Sequence, residues 1–467
     1  MLFSSLVFVW LFLPAVFLLY KIVPGIGAKN ALLLLASLLF YGWGEPTYII
    51  LMLASVTINW LSGLAVNGLK KGRGAALAVS VAVNLGLLGY FKYFDFLASA
   101  INALTGGGTI ALRDIALPLG ISFYTFQALS YVIDLYRGEI KAQKNWFTLA
   151  LYVSFFPQLI AGPIVRYADV ETALRSRTQT VDEITYGIRR FLYGLAKKVI
   201  LANAFAAGAD EIFGLSVQDV STPLAWMGAL LYAMQIYYDF SGYSDMAIGL
   251  GSMFGFHFPE NFNYPYLSAS VREFWRRWHI SLSTWFRNYL YIPLGGNRKG
   301  KVRTLVNLMI VFLCTGLWHG ANWQFVAWGV YYGAFLIAER LFLGRWLEKL
   351  PVVNRVYTLL VVLMGWVIFR APGLRAGVVW IRTMFLPTAG NFAYPVLRFV
   401  DARLWFLLAV GVFLCGPVQA LFPKWRARLY DLTHFSAAEA VWQFALLFAC
   451  VMSLVSSTYN PFIYFRF

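Results

Sequence analysis

Charge is the scarcest commodity in this 467-residue sequence: Asp, Glu, Lys and Arg together make up 13% of it, about half the share of a soluble domain. So little polar surface excludes intrinsic disorder and extended coiled coil, both of which need abundant charge. Cysteine is also rare. Cys314, Cys415 and Cys450 are far apart and lie in apolar runs, where cysteine behaves as a small hydrophobe, so neither a disulfide framework nor a metal pattern is expected. No hydrophilic stretch is long enough to fold as a separate soluble domain. What remains is 60% hydrophobic and 18% aromatic, with a net charge of +17 gathered in short basic clusters between apolar runs. A nucleic-acid binder of this charge would spread it over a polar background. The pattern is that of an all-α polytopic membrane protein whose loops follow the positive-inside rule.

A spanning helix needs about 20 apolar residues. Runs of that kind fall near 3–20, 30–43, 47–66, 75–93, 115–136, 146–164 and 190–207, and then near 222–250, 305–319, 321–343, 354–369, 404–422 and 440–457. Several are short or interrupted, which leaves about eleven spans. The first twenty residues have no basic stretch before Lys21, contain Pro14 and precede no small-residue cleavage site; they are read as the first span rather than a signal peptide. Lys21 and Lys29, then Lys70, Lys71 and Arg73, then Arg137, Lys141 and Lys144 follow alternate runs. This places the amino terminus outside and these clusters in the cytoplasm. Beyond residue 165 basic residues stand at nearly every boundary and the alternation fails. Phe155–Pro163, apolar but holding Pro157 and Pro163, is expected to re-enter the membrane without crossing it. The whole chain, 1–467, reads as one membrane domain.

The stretch 235–303 differs from the rest. It carries Tyr238-Asp239-Phe240-Ser241-Gly242-Tyr243-Ser244-Asp245, then Arg272-Glu273-Phe274-Trp275-Arg276-Arg277-Trp278-His279. Trp275, Trp278, Leu282 and Trp285 recur at three- and four-residue steps, as on one face of an amphipathic helix. Such a helix either lies in the membrane interface or lines a cytoplasmic cavity for an anionic substrate. Asp239 and Asp245 beside an apolar run raise a proton- or ion-relay reading, hence a transporter. No repeat relates the two halves, as many transporters would show, and pairing with a basic residue accounts for the carboxylates equally well. Gly295 to Lys301 nearly spells a phosphate loop, but Val302 stands where Ser or Thr would bind magnesium. No zinc H-E-x-x-H pair and no G-x-S-x-G elbow occurs.

Of four histidines, His257 and His434 sit at turn-like boundaries without catalytic context. His319 ends a strongly apolar run between Gly316 and Gly320. An ionisable residue there is either a functional group or a neutral imidazole bonded between helices. The two glycines permit close helix contact, and they are expected to leave open space beside the imidazole. A neutral imidazole can take the proton from a hydroxyl attacking a thioester. Asn322 and Trp323, three and four residues on, would share its helix face.

These motifs, with Gly316-Leu317-Trp318-His319-Gly320, Pro157-Gln158, Ala161-Gly162-Pro163 and Gly120-Ile121-Ser122-Phe123, resemble the membrane-bound O-acyltransferase family. The likeness is to its bacterial branch of alginate O-acetyltransferase membrane subunits and teichoic acid D-alanyl transfer proteins. It covers roughly 115–340 strongly, taken as the catalytic core. The resemblance implies a ring of spanning helices, with re-entrant or interfacial helices, around a central tunnel. It implies His319 as the catalytic base and His279, forty residues earlier, as a second active-site residue. Trp275, Arg276, Arg277, Trp278, Trp318, Asn322, Asp239 and Ser241 are then the substrate-binding candidates. No metal or bound cofactor is expected. The implied donor is acetyl-CoA or an acylated carrier protein on the cytoplasmic side. The implied partners are membrane lipid and an extracytoplasmic acetyltransferase or other polysaccharide-modifying protein, not nucleic acid, in a bacterial inner membrane.

Overall fold

The computed structural model describes residues 1–424, 436–457 and 459–462; His434 lies outside them. Among the described residues the only β feature is an isolated antiparallel bridge between Phe262 and Trp278, and the chain is an all-α membrane protein. Six of the described helices are long and apolar enough to cross a membrane, and three shorter apolar helices accompany them. The chain divides into two compact units, residues 1–191 with 246–259, and residues 192–245 with 260–467.

The first unit holds helices α1 (Phe8–Ile22), α2 (Ile26–Gly42), α3 (Tyr48–Gly68), α4 (Arg73–Thr105) and α5 (Ile121–Arg137). The buried amides of Asn59 on α3 and Asn84 on α4 bond each other reciprocally at 2.9 and 3.0 Å. Such a pair fixes two apolar helices in register where hydrophobic burial alone cannot, because lipid is as apolar as the interface. The run expected over 146–164 is not one helix. It forms α6 (Trp146–Ser154) and, after Phe155, the single turn α7 (Phe156–Leu159) with Pro157 in its first turn. Phe155 to Ile164 are all buried, and the Phe156 amide donates to Ser37 Oγ. This buried, non-helical backbone is of the kind tolerated at membrane depth only inside protein.

Helices α8 (Tyr167–Arg175) and α9 (Val181–Ala196) lead to the second unit, which begins within α9. It continues through α10 (Asn203–Phe213) and, as far as Asp245, the 32-residue α11 (Thr222–Met253), whose residues from 231 onward are almost all buried. A helix buried all round belongs to a core, and the carboxylates that α11 carries are paired there. Two short helices follow, α12 (Val271–Arg277) and α13 (Ile280–Phe286). Then come the hairpin of α14 (Lys301–His319) and α15 (Trp323–Leu347), and α16 (Val353–Arg370). Helices α17 (Leu374–Phe385), α18 (Ala402–Leu414) and α19 (Ala437–Ser456) complete the unit.

The hairpin corrects the expectation for Gly316 and Gly320. A Cβ at Gly316 would run into the Phe325 carbonyl oxygen, and one at Gly320 into the Phe325 ring. Both glycines are needed for the close approach of Phe325, so the space on that side is filled, while Gly320 also borders a cavity. Helix α14 also stops at His319: Gly320 is extended, and Asn322 caps α15 by accepting from the Gln324 amide at 3.3 Å. Asn322 and Trp323 therefore do not share the helix face of His319.

Candidate active site

The expected Trp-lined amphipathic helix is interrupted in the middle. Helix α12 starts with Ser270 accepting from the Glu273 amide at 3.0 Å, while the Glu339 carboxylate accepts from the amides of Val271 (2.7 Å) and Arg272 (3.0 Å). A carboxylate at a helix amino terminus satisfies otherwise orphaned donors. The helix ends at Arg277, and His279 takes a left-handed conformation with φ 46° and ψ 55°. For a residue with a Cβ this costs on the order of 1–3 kcal/mol, and such residues gather at functional sites. The kink is held from both sides, since the Asn263 amide donates to Arg277 O (2.9 Å) and the Ile280 amide to Asn261 O (3.0 Å).

Asn261 also fixes the imidazole. Its Oδ1 accepts from the Ser281 amide (3.2 Å) and Ser281 Oγ (2.9 Å), and lies 3.2 Å from His279 Nδ1. Its Nδ2 donates to Ser244 Oγ at 3.0 Å. Because a backbone amide points at Oδ1, that atom is an acceptor, and His279 Nδ1 must carry the hydrogen. The other ring nitrogen, Nε2, then holds a lone pair. Burial, and after it the nearby His319 imidazole, pushes the His279 pKa well below the ordinary histidine value, which keeps the ring neutral.

His319 is also buried. Its ring packs edge-on against Trp318 (5.0 Å between centroids), Trp328 (5.2 Å) and Phe369 (5.2 Å). Trp318 reaches His279 at 5.8 Å, and Phe240 packs on the other imidazole's edge at 4.6 Å. One tryptophan thus touches both histidines, forty residues apart in sequence. Two cavities lie on either side of His319 along the chain. One, of about 380 Å³, includes Arg272, Trp275, Arg276, Ser283, Arg287 and, one turn before His319, Thr315. The other, of about 350 Å³, includes Tyr232, Gly320, Asn322, Gln324, Phe369 and Arg370.

The candidate residues sort accordingly. Trp275 and the exposed Arg276 line the first cavity, and Asn322 lines the second. Arg277 is tied to Glu273 (2.7 Å) and to Asn263 O. Trp278 is packed inside an aromatic cluster with Phe274, Phe262 and Trp366. Asp239 and Ser241 sit on α11 and line neither cavity. Asp239 is paired with Lys198 at 2.8 Å, and Asp245 with Lys197 at 2.5 Å. Trp328, Phe369 and Arg370 are not among the sequence candidates, and Asn261 belongs to the polar stretch 235–303 without being assigned a role there. Asn261 did carry a signal, as a polar residue in the short loop between α11 and the Trp/Arg segment. The other three come from helices whose approach no local pattern announces.

Known proteins resemble this chain over much of its length. The family model of MBOAT, the membrane-bound O-acyltransferase family, matches residues 137–379. The probable alginate O-acetylase AlgI of Pseudomonas putida is 41% identical over the full length of both chains. The peptidoglycan O-acetyltransferase of Helicobacter pylori is 36% identical, covering 82% of this chain and 80% of its own. The teichoic acid D-alanyltransferase of Streptococcus thermophilus is 29% identical over 51% of this chain and 59% of its own.

Proposed function

The chain belongs to the membrane-bound O-acyltransferase family, and from that premise we propose that it transfers an acetyl group from a cytoplasmic thioester to an extracytoplasmic polysaccharide by way of a partner protein. The observation that carries this reading is the meeting of His279 and His319 on Trp318, with an arginine-flanked cavity on one side and a polar-walled cavity on the other. The names of the relatives, an alginate and a peptidoglycan acetyltransferase, support acetyl as the acyl group and a polysaccharide as the eventual acceptor. The bacterial relatives and apolar helices support an inner-membrane location. The working unit is the whole chain, and its catalytic core, 115–340, draws also on Trp366, Phe369 and Arg370.

In this reading the donor enters through the first cavity, whose lining includes Arg272, Arg276 and Arg287, and the basic run Arg298, Lys299, Lys301 and Arg303 stands at the start of α14. The three arginines of the cavity are exposed. Their guanidiniums suit the phosphates shared by coenzyme A and a carrier's phosphopantetheine arm. At the centre, His319 takes the proton of the acceptor hydroxyl as its oxygen bonds to the thioester carbonyl carbon. The C–S bond then breaks, and the imidazolium returns the proton to the leaving thiolate. His279, neutral and held by Asn261, offers Nε2 to position the hydroxyl or the imidazole. Arg277, Trp278, Asp239 and Ser241 support this constellation from behind rather than by touching substrate. The ion pairs of both carboxylates on α11 take away the relay that a transporter would need.

The test uses the full chain in lipid nanodiscs with radiolabelled acetyl-CoA. Free CoA should appear, and His319→Ala should lower its release at least about 100-fold, the usual contribution of a general base. A transporter would consume no thioester. Normal polymer acetylation in cells making His319→Ala protein at ordinary levels would remove His319 from the mechanism.

A further inference from the structure

Two of the residues that line the second cavity each carry a buried polar atom without a hydrogen-bond partner. Gln324, in the first turn of α15, is 7% exposed, and its Oε1 accepts no hydrogen bond. Arg370, the last residue of α16, donates from Nη2 to Asp210 Oδ1 at 2.7 Å, while its Nε–H meets no acceptor. Both residues line the 350 Å³ cavity that begins at Gly320, next to His319. A buried donor or acceptor left without a partner costs about 1–3 kcal/mol, so two at one cavity mark a place where a ligand completes the bonding. One is an acceptor and the other a donor.

The charge on Arg370 is already answered. Asp210 lies against it, and Tyr459 donates to the second Asp210 oxygen, holding that carboxylate in place. The guanidinium is further seated over the rings of Phe213 (5.3 Å) and Tyr232 (5.9 Å). An anionic ligand would have to displace Asp210. A neutral one need only use Nε.

We propose that this cavity is an acceptor subsite for an uncharged alcohol, in which a donor neighbouring the reacting hydroxyl (the second hydroxyl of a diol, or the amide N–H beside a serine) meets Gln324 Oε1, an adjoining oxygen accepts from Arg370 Nε, and the reacting hydroxyl keeps its hydrogen for His319. The inference rests on the acetyl-transfer reading above and adds to it the charge class of the immediate acceptor: neutral, even if the final polymer is anionic. A vicinal diol of a neutral sugar and a serine side chain beside its own carbonyl share this chemistry. The acid–base step is unchanged. His319 takes the hydroxyl proton, the C–O bond forms, the C–S bond breaks, and the thiol leaves with the proton.

The experiment measures CoA release from acetyl-CoA by the full chain in nanodiscs with three probes: maltotetraose, N-acetylserinamide and tetragalacturonate. A neutral probe should accelerate release and become acetylated, and which of the two does so tells a sugar source from a serine source. Gln324→Leu should raise KM for that probe about tenfold while KM for acetyl-CoA moves less than twofold. Arg370→Lys keeps a cation for Asp210 but lacks Nε, and should raise the same KM by a similar factor. If Arg370 served only its ion pair, the lysine variant would be silent, and the proposal would fall. It falls equally if tetragalacturonate is the preferred probe, or if no probe exceeds hydrolysis by water. Release of CoA by His319→Ala at the wild-type rate would instead sink the underlying transfer reading, whatever Gln324 and Arg370 do.

Discussion

Removing one partner of the Lys198–Asp239 pair should damage the protein far more than removing both. The two side chains are 3% and 1% exposed and 2.8 Å apart, so both charges are removed from water and each is answered chiefly by the other. Asp239→Leu leaves a buried ammonium, and Lys198→Met leaves a buried carboxylate; each is expected to cost about 3–5 kcal/mol. Lys198→Met loses in addition the bond from the ammonium to the Pro461 carbonyl, worth about 1 kcal/mol. The double variant buries two apolar side chains of similar volume, a change that lies between neutral and stabilising by about 1–4 kcal/mol in comparable sites. The coupling energy in a double-mutant cycle should therefore reach at least about 3 kcal/mol. Cys415 and Cys450 are buried, so their labelling by a thiol-reactive fluorophore along an SDS titration in mixed micelles reports unfolding. Acetyl transfer is measured in parallel. If Asp239 is structural, the double variant regains both stability and activity. If it regains stability while transfer stays abolished, Asp239 contacts the reacting groups. A coupling energy below about 1 kcal/mol would refute the reasoning from burial altogether.

Three further outcomes are expected. His279 binds no proton in the folded protein where the unfolded chain does, so stability should fall as pH drops below about 6.5, by up to about 1.4 kcal/mol per pH unit. His279→Asn should remove that acid-side slope in the same SDS titration run at pH 5–8. Gly316→Ala should lose about 1–3 kcal/mol through overpacking against the Phe325 carbonyl, measured the same way, and an unchanged midpoint would mean that α14 and α15 can separate freely. Arg276→Gln should raise KM for acetyl-CoA about five- to tenfold, more at low ionic strength than at high, with no comparable change for a donor lacking phosphate such as S-acetylcysteamine.

What the sequence disclosed follows the range of the forces involved. Membrane class, helical content and the placement of apolar runs are local matters of composition, and they were legible. His319 stands out as a candidate, because a lone imidazole in a strongly apolar helix end contrasts with its neighbours, and it proves to be buried. The path of the chain between such landmarks was less legible. The tryptophan spacing of 275–285 predicts one continuous helix, yet the backbone turns left-handed at His279. The spacing is a local preference, and the bonds that overrule it come from Asn261 and Asn263. Likewise Gly316 and Gly320 announced a close approach, but not that Phe325 would be the group approaching. Arg370 and Phe369 reach the site from a helix outside the motif-bearing core, so no spacing rule could have found them.

The left-handed kink links these observations into an argument about precision. A regular helix through 271–286 would place residue 279 by helical phase alone, and the side chain would follow any sliding of that helix on its neighbours. The structure instead spends on the order of 1–3 kcal/mol of backbone strain and pins the ring through its own backbone bridge and through Asn261. That anchoring selects one tautomer, because Asn261 Oδ1 already accepts from the Ser281 amide and so accepts from Nδ1 rather than donating to it. The consequence is a lone pair on Nε2 in a ring that burial keeps neutral, independent of the donor's arrival. His319 packs edge-on against the rings of Trp318, Trp328 and Phe369. A fixed acceptor at Nε2 of one histidine, joined to the other through Trp318, is the arrangement expected when one imidazole positions the hydroxyl and the other takes its proton.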